Sequence, residues 1–153
     1  MARRGSSDAV LVASRALVGV AARSLAETEV TVTLVQYRAL VLLAARGSMN
    51  VGGLAEALDV HQSTATRLCD RLVARGLVDR GHSPENRREV VLSLTRDGQA
   101  LIRSVTAKRR AELDRIMDSL TVKQRAAVND AFKLFADAAG EVPDDAWKLG
   151  WTT

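Results

Sequence analysis

Aromatic residues and cysteine are scarce in this sequence of 153 residues. Phe, Trp and Tyr make up 3% of the chain, which argues against binding single-stranded nucleic acid on aromatic stacking platforms. The single cysteine, Cys69, excludes an internal disulfide and fits a reducing cytoplasm.

Catalytic and metal-binding motifs are also missing. The two histidines, His61 and His82, fall in different predicted loops, and neither has the Cys/His/carboxylate spacing of a metal site. The sequence has no Gly-x-Ser-x-Gly motif, no phosphate-binding glycine loop and no His/Cys pair typical of a nucleophile. We therefore expect no catalytic residues, no metal ligands and no cofactor.

At 153 residues the chain is one domain, or one domain with helical extensions, and its apolar residues, 47% of the total, are enough for a real core. The apolar segment 10–26 raises a signal-peptide interpretation, but Arg15 and Arg23 interrupt it and no cleavage site follows. Its longest uninterrupted apolar run is too short to cross a bilayer. We interpret the segment as a long amphipathic helix and expect a cytoplasmic protein with no membrane partner.

The stretch 51–95 has the order of a helix-turn-helix followed by a β-hairpin wing. In the first helix Leu54 and Leu58 lie one turn apart, and Gly76 is expected to end the second. The predicted elements are a helix over 51–58, a turn over 59–63, a helix over 63–75, strands over 77–80 and 89–94, and a turn-rich tip over 81–88.

The second of these helices has two distinct faces. Its apolar face holds Ala65, Leu68, Cys69, Leu72 and Val73. The opposite face suits the major groove of double-stranded DNA, because Arg can donate two bonds to guanine, Gln can pair with adenine and Thr can contact a thymine methyl. The residues expected at the base edges are Gln62, Ser63, Thr64, Thr66 and Arg67.

The predicted wing tip carries Arg87 and Arg88. An arginine held on such a loop can enter a narrow minor groove, where the potential is more negative. Between His61 and Arg96 there are seven Arg and four Asp or Glu, a balance of +3. A net charge of +4 for the whole chain is likewise compatible with a nucleic-acid partner.

At these residues the chain resembles the MarR family of winged-helix transcriptional regulators. The resemblance is carried by LAEAL at 54–58, STATR at 63–67, DRLVARGLV at 70–78, NRR at 86–88 and LTRDG at 94–98. It implies a mainly α-helical fold with a small β-hairpin wing, in which a winged helix-turn-helix is flanked by N- and C-terminal dimerisation helices. It also implies a transcriptional regulator, most often a repressor.

The chain departs from the family at the wing, where Asn86 occupies the position of an Asp two residues before the key arginine, Arg88. A carboxylate would orient that guanidinium by two hydrogen bonds, whereas an amide can accept only at its one oxygen. Glu85 or Glu89 could take over the orienting role.

The flanking segments predict a homodimer. We divide the chain into an N-terminal arm and dimerisation helix over 1–33, a DNA-binding lobe over 34–95, and C-terminal dimerisation helices with a tail over 96–153. The outer helices carry more apolar surface than a small winged-helix core can cover. Two recognition helices about 34 Å apart would then read a pseudo-palindromic operator. Trp147 and Trp151 indicate that the tail docks on something, such as the partner subunit.

Helix boundaries follow from capping signals. Asp8, Thr33 and Thr95 are expected to cap the helices that follow them, and residues 121–124 form a capping box. Arg109 interrupts the apolar stripe of the helix predicted over 96–119. We interpret the basic cluster 108–110 around it as a solvated or ion-paired face.

The resemblance further implies that a small phenolic or anionic effector binds between the DNA-reading lobe and the helical dimer region. Tyr37 and Arg38, on the helix predicted over 34–45, are candidate contacts for it, and packing with an ion pair is the structural alternative. By linkage, an effector that prefers the non-binding conformation lowers DNA affinity.

Two other functions stay open at the level of sequence. The protein could be a thiol-based redox-sensing regulator that responds through Cys69, which requires a lowered pKa and some exposure of the thiol. It could also be a winged-helix module for protein interaction that no longer reads DNA. A buried, unreactive cysteine is the structural alternative for Cys69.

Overall fold

The computed structural model describes residues 7–147, which form helices and one two-stranded antiparallel sheet. The elements are α1 (Asp8–Ala26), α2 (Leu34–Arg46), α3 (Val51–Leu58), α4 (Gln62–Ala74), β1 (Val78–His82), β2 (Val90–Leu94), α5 (Arg96–Asp118) and α6 (Val122–Ala138). A 3₁₀ turn follows at Asp144–Ala146. The predicted fold class is confirmed: a winged helix-turn-helix lies between N- and C-terminal helices.

Helix α2 lies at the centre of the core. Eight of its thirteen residues are buried, including Leu40 and Leu43. Leu54 of α3, Leu72 of α4 and Ile102 of α5 are fully buried in the same cluster. Each such side chain stabilises the fold by about 1.5–3 kcal/mol relative to exposure. The core therefore fixes α3 and α4 against the long helix α5.

Three of the predicted caps are confirmed. The Thr33 and Thr121 side chains each accept a hydrogen bond from the third residue of the helix they open, in reciprocal capping boxes. The Thr95 hydroxyl accepts from Gly98 N at 3.0 Å. The prediction for Asp8 was wrong, because Ser7 occupies the cap position and Asp8 is the first residue of α1.

The wing differs from its predicted boundaries. Strand β1 extends through Gly81 and His82, since these residues pair with Val91 and Val90 of β2. An isolated bridge between Met49 and Leu92 adds a further antiparallel contact, with hydrogen bonds of 3.1 and 2.7 Å. The wing is thereby joined to the segment that leads into α3.

The outer helices leave apolar side chains uncovered. Within the described residues, α6 contains no buried residue, whereas Val20, Ser24 and Leu25 of α1 are buried. Helix α1 has a mean hydropathy of 1.6 and by length and composition could cross a membrane, a property that core helices of soluble proteins share. The large apolar side chains exposed on α1 and α6 are Val10, Leu11, Val12, Leu17, Val18, Val122, Phe132, Leu134 and Phe135.

Candidate functional site

Helices α3 and α4 form the helix-turn-helix, and capping residues fix where these helices begin and end. The Asn50 side chain accepts from Gly53 N at 2.7 Å at the start of α3. Asp59 ends α3 in the left-handed conformation, with φ of 52°, which short polar residues tolerate better than most. Gly76, with φ of 68°, reverses the chain after α4 as predicted.

Helix α4 turns its apolar face inward, as its periodicity predicts, with Ala65, Leu68, Cys69 and Leu72 buried. It begins one residue earlier than predicted, at Gln62. All five residues predicted to contact bases are exposed on the opposite side: Gln62, Ser63, Thr64, Thr66 and Arg67.

Two of these side chains are oriented by their own helix. The Thr66 hydroxyl donates to Gln62 O at 2.9 Å, and Arg67 Nε donates to Ser63 O at 3.3 Å. The bond from Thr66 leaves the lone pairs of its hydroxyl oxygen and its methyl group available. The bond from Nε leaves the terminal nitrogens of Arg67 able to donate to an acceptor pair such as guanine O6 and N7.

The wing tip exposes Arg87 and Arg88 to solvent. The Asn86 side-chain oxygen accepts from the backbone N–H of Arg88 at 3.1 Å, so Asn86 orders the loop but does not hold the guanidinium. Glu89 instead accepts a hydrogen bond from the Asn50 side chain. The suggestion that Glu89 orients Arg88 was therefore wrong. Within the described residues, Glu85 forms no ion pair with Arg88 either.

An ion pair connects the recognition helix to the wing. Arg80 Nη2 of β1 lies 2.6 Å from Asp70 Oδ1 of α4. Both side chains are substantially exposed, so the pair stabilises the fold by less than about 1 kcal/mol. The ion pair matters more for the surface charge, because Arg80 neutralises the Asp70 carboxylate on the face that would approach phosphates.

Cys69 lies on the buried side of α4, 1% exposed. Burial raises the pKa of its thiol, and the opposing effect of the Arg80 charge is smaller. The thiol therefore stays protonated at neutral pH. Neither the exposure nor the lowered pKa that a redox sensor needs is present.

We predict that Cys69 reacts slowly with iodoacetamide in the native protein. At pH 7.5, alkylation should be at least about tenfold slower than in urea-unfolded protein, because only the exposed thiolate reacts. Since the folded-state pKa is raised, the thiol stabilises the fold fully below its ordinary pKa. That contribution is lost as pH rises through the raised value. Equal native and unfolded rates would revive the redox hypothesis.

A second feature is a cleft of about 980 Å³ beside the helix-turn-helix, bounded by α1, α2, α5, α6 and the tail. Both predicted effector residues, Tyr37 and Arg38, line it. Tyr37 is buried, and Arg38 donates two hydrogen bonds to the Glu141 carboxylate at 2.6 and 2.8 Å. Arg38 thus forms the ion pair foreseen as its structural alternative.

Arg109 is a cleft residue that the sequence interpretation missed. Its guanidinium carbon lies 5.2 Å from the centre of the Tyr37 ring, within range of a cation–π interaction. Its Nε and Nη2 atoms are buried and have no hydrogen-bond partner among residues 7–147. The interpretation of 108–110 as a solvated or ion-paired face was therefore wrong for Arg109. The available signal was its interruption of the apolar stripe of α5.

The Tyr37 hydroxyl is neutral in this environment. Burial is the largest influence and raises its pKa, while a hydrogen bond with Thr106 and the charge of Arg109 lower it. The nearby charge of Asp144 raises the pKa further. Tyr37 therefore presents a protonated phenol beside an arginine that has two unused donors.

A helix pair whose second helix exposes a polar face, followed by an antiparallel hairpin, defines a winged helix-turn-helix protein. A sequence profile of the MarR family matches residues 32–90. The chain belongs to the MarR family, whose members are transcriptional regulators and not enzymes.

Two proteins of similar sequence support the assignment. The chain is 33% identical to the uncharacterized HTH-type transcriptional regulator YfiV of Bacillus subtilis, over 67% of this chain and 64% of YfiV. It is 36% identical to the HTH-type transcriptional repressor MdtR of the same organism, over 61% of this chain and 60% of MdtR. These matches thus span less than two thirds of either relative.

The crystal structure of RV1404 from Mycobacterium tuberculosis is similar along nearly its whole length. The TM-score is 0.86, with 37% sequence identity over 94% of this chain and 97% of that one. The similarity therefore extends beyond the winged helix to the outer helices.

Proposed function

We propose that this protein is a cytoplasmic homodimeric repressor that binds a pseudo-palindromic operator in double-stranded DNA and is released by a small effector. The observation that carries the proposal is the exposed face of α4, which presents all five polar residues named above, Arg67 among them. The wing arginines extend the same surface. The name of MdtR as a transcriptional repressor supports repression as the mode of action.

The outer helices support the homodimer. Besides Leu17 and Phe132, which line the cleft, α1 and α6 expose further large apolar side chains such as Leu11, Val18 and Phe135, and exposed patches of this kind mark interaction sites. A second copy is the simplest occupant, because closed two-fold pairing is the commonest oligomer symmetry. On this view residues 1–33 and 96–153 dimerise, and residues 34–95 read DNA.

Contacts of α1 with the rest of the chain favour a protein partner over a bilayer. Val20 and Leu25 are packed inside the fold, and Arg23 donates to Glu112 of α5 at 2.8 Å through Nε. A membrane-spanning segment would have to break this ion pair and bury its charge in lipid, which is costly. We therefore assign the protein to the cytoplasm.

The cleft supports a small effector with an apolar body and an anionic head. Most of its lining is apolar, including Leu17 of α1, Leu113 of α5 and Phe132 of α6. Arg109 supplies two unused donors, and the Tyr37 phenol lies next to it. An anion accepting from Arg109 would satisfy donors that are otherwise costly to bury.

The proposal is tested by fluorescence anisotropy of the purified protein against duplexes tiled from DNA beside its own coding region, over a salt series. We expect saturable, sequence-selective binding with a steep salt dependence, since phosphate contacts release counterions. Equal binding to all duplexes, or binding to none, would contradict sequence-specific regulation.

Two arginine substitutions distinguish contacts with DNA bases from contacts with DNA phosphates. Arg67→Ala should cost about 1–3 kcal/mol of binding free energy and relax the preference at one base position. Arg88→Ala should weaken binding to most sequences and lower the salt slope by about 1. Both are measured by anisotropy on the preferred duplex and its point variants.

Arg115→Ala is the matched control, because it removes an exposed arginine from the far half of α5. It should leave DNA affinity nearly unchanged. If Arg67→Ala and Arg88→Ala matched this control while the protein kept its cellular function, the protein-interaction module would be the better hypothesis.

A further inference from the structure

The segment after α6 folds back over the cleft. We call residues 141–147 the acidic strap. Glu141 holds Arg38 of α2 through both carboxylate oxygens, and Asp144 lies 3.8 Å from Arg110 of α5. Trp147 packs on the core of its own chain, and its indole N–H donates to Val142 O at 2.9 Å. The expected docking of Trp147 thus occurs within the chain, and Trp151 lies outside the described residues.

The acidic strap cancels the positive charge of the cleft. In the part of the chain that the structure describes, the charged residues lining the cleft are three positive and three negative: Arg38, Arg109, Arg110, Asp114, Glu141 and Asp144. Glu141 and Asp144 belong to the strap, so without it the lining has three positive charges and one negative, a balance of +2. The strap carboxylates therefore stand where an incoming anion would find its partners.

The strap does not complete the site. Arg109 is held against the Tyr37 ring, yet within residues 7–147 its Nε and Nη2 atoms have no acceptor, although two strap carboxylates line the same cleft. The ion pairs that hold the strap are about half exposed. Pairs of this kind are individually weak and easily exchanged.

We propose that the acidic strap competes with the anionic effector for the cleft arginines, so that the effector enters by displacing Glu141 and Asp144. The proposal rests on the effector-released regulator described above. It adds an internal competitor, which sets the effector concentration needed for release from DNA.

The test uses benzoate, an apolar ring with one carboxylate, and its uncharged isostere benzamide. Benzoate binding to the full chain is measured by calorimetry for wild type and for the doubly neutralised variant Glu141→Gln/Asp144→Asn. We expect benzoate to bind the variant about three- to tenfold more tightly, because two weak exposed pairs no longer compete. The affinity for benzamide should be the same for wild type and variant, because benzamide carries no charge.

Tryptophan emission reports the strap independently of DNA. The chain has two tryptophans, so a Trp151→Phe background leaves Trp147 as the reporter. Benzoate should shift its emission to longer wavelength as the indole leaves the core for water. Asp130→Asn/Asp137→Asn is the matched control, since it removes two exposed charges from α6 outside the cleft lining.

Each of the following results would contradict the proposed competition between the strap and the effector. It is overturned if benzoate binds wild type and variant equally, if the α6 control gains affinity to the same extent, or if Trp147 emission stays fixed while benzoate binds. Failure of benzoate to bind either protein also overturns it. Operator binding by the same protein preparations is measured by anisotropy. Operator binding that persists when the competition is overturned would leave the proposed regulator function intact.

Discussion

Replacing Gly98 with alanine should destabilise the protein by about 3 kcal/mol, the upper range for overpacking a tight site. A Cβ at this position would lie 2.2 Å from the backbone oxygen of Leu77 and 3.0 Å from a methyl carbon of Leu94. The oxygen cannot move freely, because it also accepts from Thr95 N at 3.2 Å. Urea unfolding at fixed protein concentration measures the loss.

Gly81→Ala is the matched control for this substitution. Gly81 lies in β1, and a Cβ there would meet no atom within 4 Å. Its unfolding free energy should stay within about 0.5 kcal/mol of wild type. A Gly98→Ala protein as stable as the Gly81→Ala protein would show that the close approach of α5 to Leu77 is not tightly held.

The double substitution Leu11→Glu/Val18→Glu should convert the proposed homodimer to a monomer. The two side chains are each 55% exposed and lie seven residues apart, on one face of α1. In a symmetric interface the change buries four unpaired carboxylates, each of which costs several kcal/mol. The dimer dissociation constant should rise at least about 100-fold. Sedimentation at micromolar concentration gives the result.

Operator affinity should fall together with dimerisation, because a monomer contacts one half-site only. Val30→Glu, between α1 and α2, is the control, since Val30 is a partly exposed valine outside the helical faces. It should leave both the mass and the DNA affinity unchanged. If the wild-type protein sediments as a monomer, or if the double variant stays dimeric, α1 is not part of a dimer interface.

Local sequence signals were sufficient for the recognition helix. The four buried positions of α4 recur at helical spacing, and Gly76 supplies the left-handed residue that follows. Caps such as Thr33 and Thr121 could be predicted because they need only a partner three residues away. Features that depend only on residues within one helical turn can thus be predicted from the sequence.

Features that depend on distant neighbours cannot be predicted in this way. The bridge between Met49 and Leu92 joins residues that no local pattern relates. Gly81 and His82 resemble turn residues, and only their pairing with β2 makes them a strand. Arg109 could be marked as an anomaly in an apolar stripe, but its place over Tyr37 depends on how α2 packs against α5.

The close approach at Gly98 also means that a tilt of α5 would be felt at Leu77. Gly98 and Arg109 lie eleven residues apart on this one helix, about 16 Å at the rise of an α-helix. A tilt of about 10° pivoting at Arg109 therefore displaces the Gly98 end by about 3 Å, close to the spacing of successive base pairs. Because that end contacts Leu77, three residues beyond α4, a tilt of α5 that began at the cleft would act first on the segment that follows the recognition helix.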